Sequence, residues 1–120
     1  MTELALIIED DDDLAYIFAE ALQAADYETK IYSDGEAAQQ GLMEQIPNII
    51  LLDMHLPRIG GLEILNQIKN NPRFKKTTVI IATADARIAE SQIDMADFVL
   101  IKPIAFSQLR DLTKRLHQSK

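Results

Sequence analysis

The feature that most constrains this chain of 120 residues is an alternation of two periodicities. Five short apolar runs, Leu4–Ile8, Thr29–Tyr32, Ile49–Leu52, Val79–Ala82 and Phe98–Ile101, are separated by segments with helical spacing. Four of the runs are almost continuously apolar, as a parallel strand covered on both faces must be. Thr29-Lys30-Ile31-Tyr32 alternates instead, which suits the edge of a sheet. Strand–helix alternation with short connections forces right-handed crossovers. The expected fold is therefore one α/β domain over residues 1–120, a doubly wound parallel sheet with helices on both faces.

The intervening segments supply those helices. Leu14, Ile17, Phe18, Ala21 and Leu22 fall on one stripe of a first helix. Ser33-Asp34-Gly35-Glu36 has capping-box spacing and opens a second, running to about Glu44. Leu62, Leu65 and Ile68 mark a third, which Asn70-Asn71-Pro72 ends. Asp85–Asp94 is a weaker pattern, supported by Ala86, Ile88, Ala89 and Ile93. Leu109, Leu112 and Leu116 mark the last helix, with Ser107 as its expected N-cap.

Composition narrows the function. No apolar run is long enough for a membrane span, and no cysteine is present to build a disulfide or thiolate site. The N-terminus lacks a basic region followed by an apolar signal segment, so the chain is expected in the cytoplasm. The formal net charge is −7, and residues 1–60 carry 13 carboxylates against two basic side chains, while residues 61–120 carry six against ten. Such an acidic chain is repelled by phosphate backbones, so direct nucleic-acid binding is not expected. Metal binding is one reason for carboxylates to gather in one half.

In sheets of this kind the functional crevice lies beyond the carboxyl ends of the strands. The sequence places Glu9-Asp10, Asp53, Thr83 and Lys102-Pro103 there. Three carboxylates held together repel one another unless a cation or protons intervene. Hard oxygen donors without Cys or His favour Mg²⁺. A carboxylate beside Mg²⁺ and a lysine can attack phosphorus to form an aspartyl phosphate. Cation, lysine and hydroxyl would then hold the phosphoryl oxygens. Asp11, Asp12 and Asp13 have the ordinary explanation of first-turn charge, with Asp12 the expected N-cap. Asp53 ends a buried strand, where an unpaired carboxylate is costly, so a functional role is favoured. Thr83 and Lys102 alone would be an ordinary strand residue and a surface lysine; joint placement with Asp53 gives them meaning. Gly61 is expected to relieve backbone crowding before the third helix. His117, near the C-terminus, needs no function, and the basic residues Arg110, Lys114, Arg115 and Lys120 form an ordinary solvated face or a contact for an acidic partner.

Ile7-Ile8-Glu9-Asp10, the run Pro47–Pro57 around Asp53, Gly61, Val79–Ala84 and Ile101-Lys102-Pro103 together resemble the receiver domain of two-component response regulators. The resemblance spans essentially the whole chain. It implies a flavodoxin-like (βα)5 fold with strand order 2-1-3-4-5 and Asp53 as phosphoacceptor. It implies Mg²⁺ held by Glu9, Asp10, Asp53 and the backbone carbonyl of His55, with Glu9 acting through a water. Thr83 matches the switch hydroxyl and Lys102 the lysine that pairs with a phosphoryl oxygen, before a cis Lys102-Pro103 bond. The implied donor is a sensor histidine kinase or a histidine phosphotransfer protein. The chain would catalyse only its own phosphoryl transfer and dephosphorylation, then signal to a downstream partner, alone or as part of a larger protein. Dimerisation would use the face of the fourth helix, fifth strand and fifth helix. His55 and Asp85 are candidates for tuning phosphoryl lifetime.

Two departures bear on that output face. The family places an aromatic three residues before the lysine, where this chain has Val99, with Phe98 one position earlier and so on the opposite strand face. Thr83 and Lys102 are 19 residues apart, about one helical turn short. These motivate an alternative, a receiver-like interaction module independent of phosphorylation. Another alternative, a phosphohydrolase of the haloacid-dehalogenase type with Asp10 as nucleophile and Asp12 as acid/base, lacks its late acidic motif and leaves Asp53 without a role.

Overall fold

The computed structural model describes residues 3–56, 59–91 and 94–118. Among them, five parallel strands, β1 (Glu3–Ile8), β2 (Tyr27–Tyr32), β3 (Ile49–Asp53), β4 (Thr78–Thr83) and β5 (Phe98–Ile101), form one sheet in the order β2-β1-β3-β4-β5. The connections are α1 (Asp12–Ala24), α2 (Gly35–Glu44), α3 (Gly61–Lys69) with a 3-10 turn at Pro72–Phe74, and α4 (Ala86–Ser91); α5 (Phe106–Gln118) closes the chain. The alternating run is indeed at an edge, in β2. The short α4 accounts for the reduced spacing between Thr83 and Lys102, although Ile93, which supported that helix, lies outside the described residues.

Strand periodicity divides the core in two. Ala5, Ile7, Ile49, Leu51, Ile80 and Ala82 face α1 and α5. Leu6, Ile8, Ile50, Leu52, Val79 and Ile81 face α2 and α3. Register aligns Ile7 with Leu51 and Leu51 with Ile80, so each layer is continuous across the sheet. Removing one such side chain to alanine costs about 2–5 kcal/mol. Phe98 packs with the first layer and Val99 with the second, the opposite placement their one-residue offset requires.

Four local expectations are corrected. Asp11, not Asp12, caps α1: its Oδ1 accepts from Asp13 N and Leu14 N at 3.0 and 3.1 Å. Asp34, not Ser33, caps α2, because its extended backbone aims Oδ1 at Ala37 N, 2.8 Å away. Ser107 lies inside the first turn of α5, which begins at Phe106. Ile17 is 43% exposed, since alanines at 15, 19 and 21 shift the buried arc of α1 by one position.

His117 is also anchored rather than idle. Its Nδ1 lies 3.1 Å from Glu3 Oε2, and its ring meets Tyr27 edge-on at 5.1 Å. The Tyr27 hydroxyl donates to Thr113 O at 2.9 Å in a buried setting. Burial and the Glu3 charge push that phenol above its ordinary range. Tyr27→Phe is expected to remove about 1 kcal/mol of stability, read as a lower denaturant midpoint at unchanged slope.

Candidate functional site

The strands deliver their carboxyl ends to one edge, and the expected residues meet there. Glu9 follows β1 and is 2% exposed, Asp53 ends β3 at 3%, and Asp10 stands at the mouth, exposed. One carboxylate oxygen from each lies within 4.8 Å of the other two. Lys102, just past β5, reaches across to Glu9 Oε1 at 2.7 Å and Asp53 Oδ1 at 3.4 Å. Asp11 N donates to Glu9 Oε2 at 3.2 Å, and His55 N donates to Asp53 Oδ1 at 3.1 Å. Lys102 is joined to Pro103 by a cis peptide bond, as the resemblance implied.

Gly61 makes this placement possible. A Cβ there would fall 2.6 Å from Met54 Cα and 2.7 Å from Asp53 O, so only glycine lets α3 start against the end of β3. The motif residue Pro57 lies outside the described residues.

Thr83 ends β4 fully buried, and its Oγ1 accepts from Asp85 N at 3.1 Å. Asp85 in turn accepts from Arg87 N at 2.9 Å and pairs with Arg87 Nη2 at 3.2 Å. Its carboxylate is held below its ordinary range by the Arg87 hydrogen bond. This bracing turn was not read from the sequence; the signal was the i, i+2 pair of Asp85 and Arg87 ahead of a short helix. The His55 side chain is exposed, so its contribution to the pocket is the backbone of its loop.

The electrostatics ask for a cation. Burial, with the Asp53 charge added, pushes the Glu9 carboxyl up to about 7 despite the Lys102 hydrogen bond. Burial would lower the Lys102 ammonium, but Glu9 and Asp53 outweigh it and hold the group above its usual value. One ammonium against three carboxylates leaves the pocket short of positive charge, and all-oxygen donors suit Mg²⁺. The pH consequence has a definite sign. Between an unfolded value of 4.5 and a folded one near 7, the folded state holds the extra proton. Stability of the metal-free protein should therefore fall as pH rises across that window. Thermal melts in chelator are expected to show this decline, and Glu9→Gln to flatten it.

Known proteins resemble this chain in sequence and in fold. The family described as "Response regulator receiver domain" matches residues 5–114. Response regulator ArlR of Staphylococcus saprophyticus is 33% identical over 91% of this chain, which spans only 49% of ArlR. Polar-differentiation response regulator DivK of Brucella ovis is 33% identical over 72% of this chain and 70% of its own length. The crystal structure of response regulator DrrB, a Thermotoga maritima OmpR/PhoB homologue, superposes with a TM-score of 0.84 at 27% identity, covering 100% of this chain and 55% of DrrB. With a sheet in the order β2-β1-β3-β4-β5, an acidic pocket at its carboxyl edge and a family match over most of its length, this chain is a receiver domain of the two-component response regulator family.

Proposed function

We propose that residues 1–120 act as one phosphorylation-dependent switch in which Asp53 accepts a phosphoryl group. The observation that supports this most is the convergence of Glu9, Asp10 and Asp53 with Lys102 at the end of a buried strand. A carboxylate oxygen of Asp53 attacks phosphorus on a phosphohistidine of a sensor kinase or phosphotransfer protein. An O–P bond forms, the N–P bond breaks, and its electron pair returns to the departing imidazole. His55 N, already donating to Asp53 Oδ1, fixes which oxygen remains free to attack. Lys102 then exchanges its Glu9 contact for a phosphoryl oxygen.

The residues suited to hold Mg²⁺ are Glu9, Asp10, Asp53 and the carbonyl of His55. When bound, the ion neutralises phosphoryl oxygens that these carboxylates would otherwise repel. Thr83 gives up the Asp85 N–H and turns its hydroxyl to the new phosphoryl group, which shifts the turn that Arg87 braces. The loss of the Thr83–Asp85 hydrogen bond biases the α4 and β5 face, read by a downstream partner in the cytoplasm or by a second receiver. Val99 and the short α4 alter the shape of that face without touching the pocket.

Intact mass after incubation with acetyl phosphate tests the reading. Wild type with Mg²⁺ is expected to gain one phosphoryl group. Asp10→Asn is expected to need at least tenfold more Mg²⁺ for the same yield, because it removes the exposed ligand and spares the buried pair. An adduct formed equally in chelator would overturn the metal assignment.

A further inference from the structure

The outer side of the edge strand β2 is open. Tyr32 O accepts from Glu9 N at 3.0 Å, so the backbone of Tyr32 faces β1. The two-residue period of a strand turns the backbone of Glu28 and Lys30 the same way. Tyr27, Thr29 and Ile31 are left with their N–H and C=O groups pointing away from the sheet. Among the described residues, no backbone group beyond β2 pairs with them. Edge strands ordinarily carry a device that blocks pairing with another chain. β2 has no proline and no bulge, and its six residues keep unbroken register with β1 from Tyr27 to Tyr32. The one candidate device is Lys30.

The side chains next to this edge are charged in a particular order. Thr29 Oγ1 accepts from Gln23 Nε2 of α1 at 2.9 Å, while Lys30 Nζ donates to Gln45 Oε1, just past α2, at 3.1 Å. Glu28 and Lys30 therefore share the α2 side of the sheet, and both are exposed. Among the described residues neither belongs to an ion pair, since Gln45 is neutral. Ile31 is 43% exposed on the other side of the same strand.

We propose that β2 pairs with β2 of a second copy of this chain, antiparallel about a two-fold axis at Thr29. Only registers that set outward-facing residues opposite one another form hydrogen bonds across the seam. Centred on Thr29, the strand sets Thr29 against its own copy and Tyr27 against Ile31 of the second chain. Glu28 then falls directly opposite Lys30 of the second chain, twice, at the positions where side chains lie closest. Moving the axis to either neighbouring residue sets Glu28 on Glu28 or Lys30 on Lys30, which is repulsive. The lysine that blocks other pairings thus selects this one. An unrelated extended segment would satisfy the same backbone groups, but the doubled Glu28–Lys30 match belongs to this chain's own strand. The two-fold closes on itself and uses the open edge of both copies. Glu20, exposed and one turn before Gln23 on α1, approaches its own copy across the seam and keeps the contact weak. The proposal stands independently of phosphorylation at Asp53.

The test is sedimentation equilibrium of the unphosphorylated full chain up to about 1 mM. A short strip of this kind should give a monomer–dimer equilibrium with Kd on the order of 100 μM. The Thr29 and Ile31 amides should exchange with solvent more slowly as concentration rises. Glu28→Lys and Lys30→Glu, both at exposed positions and so nearly neutral for folding, should each weaken the dimer about tenfold. An equimolar mixture of the two variants should dimerise at least as tightly as wild type, because every cross-strand pair is then of opposite charge. A monomer at every concentration, a dimer indifferent to both reversals, or a mixture no tighter than either variant alone would each overturn the proposal. So would concentration-dependent protection confined to α4, β5 and α5. Protection of Thr29 and Ile31 that ignores concentration would mark another segment of the same chain on the edge, and would overturn it too.

Discussion

Lys102→Ala is expected to lower stability by about 2 kcal/mol above pH 8 and to slow phosphoryl uptake roughly 100-fold. The ammonium sits 2.7 Å from Glu9 and 3.4 Å from Asp53, and both carboxylates are almost wholly buried. Stranding a buried partner costs about 3–5 kcal/mol in fully desolvated pairs; the 16% exposure of Lys102 lets water screen part of that, which sets the lower figure. The loss should be pH-dependent in a way a packing defect is not. Below pH 6 Glu9 carries its own proton, so wild type and variant should converge; above pH 7 they should separate. Saturating Mg²⁺ should recover most of the lost stability, because a divalent ion replaces the missing charge. Denaturant melts across pH with and without Mg²⁺ would show both effects.

Gly61→Val should be comparably damaging for a steric reason. The contacts its Cβ would make, 2.6 Å to Met54 Cα and 2.7 Å to Asp53 O, are with backbone, which cannot rotate aside. The start of α3 must move or β3 must, at a cost of about 3 kcal/mol. Because the displaced carbonyl belongs to Asp53, the variant should also lose phosphoryl uptake out of proportion to its folded fraction. Gly60→Ala is the matched control: nothing lies within 4 Å of a Cβ there, and little change is expected. Mass-detected uptake scaled to the folded fraction from melts separates the two.

How much of this was legible in the sequence depends on the range of the interaction. While the strand order was implied by the resemblance to receiver domains, the parallel sheet with helices on both faces follows from continuous apolar runs and short crossovers. The strand ends were legible for the same reason, and Glu9, Asp10, Asp53, Thr83 and Lys102 all stand at the sheet edge where the pattern put them. Helix starts were less so. Asp11 won over Asp12 and Asp34 over Ser33, because neighbouring capping residues differ only in backbone direction, which spacing does not encode. Ile17 was misplaced because the arc that α1 buries is set by both the sheet and α5. The His117–Glu3–Tyr27 cluster joins residues far apart in sequence, and no local signal announces it. Arg87 bracing Asp85 was short-range but depended on where β4 ended.

The central claim is that one carboxylate, that of Asp53, is the phosphoryl acceptor. Wild type and Asp53→Asn would be incubated with acetyl phosphate and Mg²⁺, and the modified residue located by tandem mass spectrometry after borohydride reduction of the acyl phosphate. One reduced site at Asp53 in wild type, and none in the variant, is the predicted result. Modification of Asp10 or another carboxylate in wild type, or an undiminished adduct in Asp53→Asn, would contradict the account.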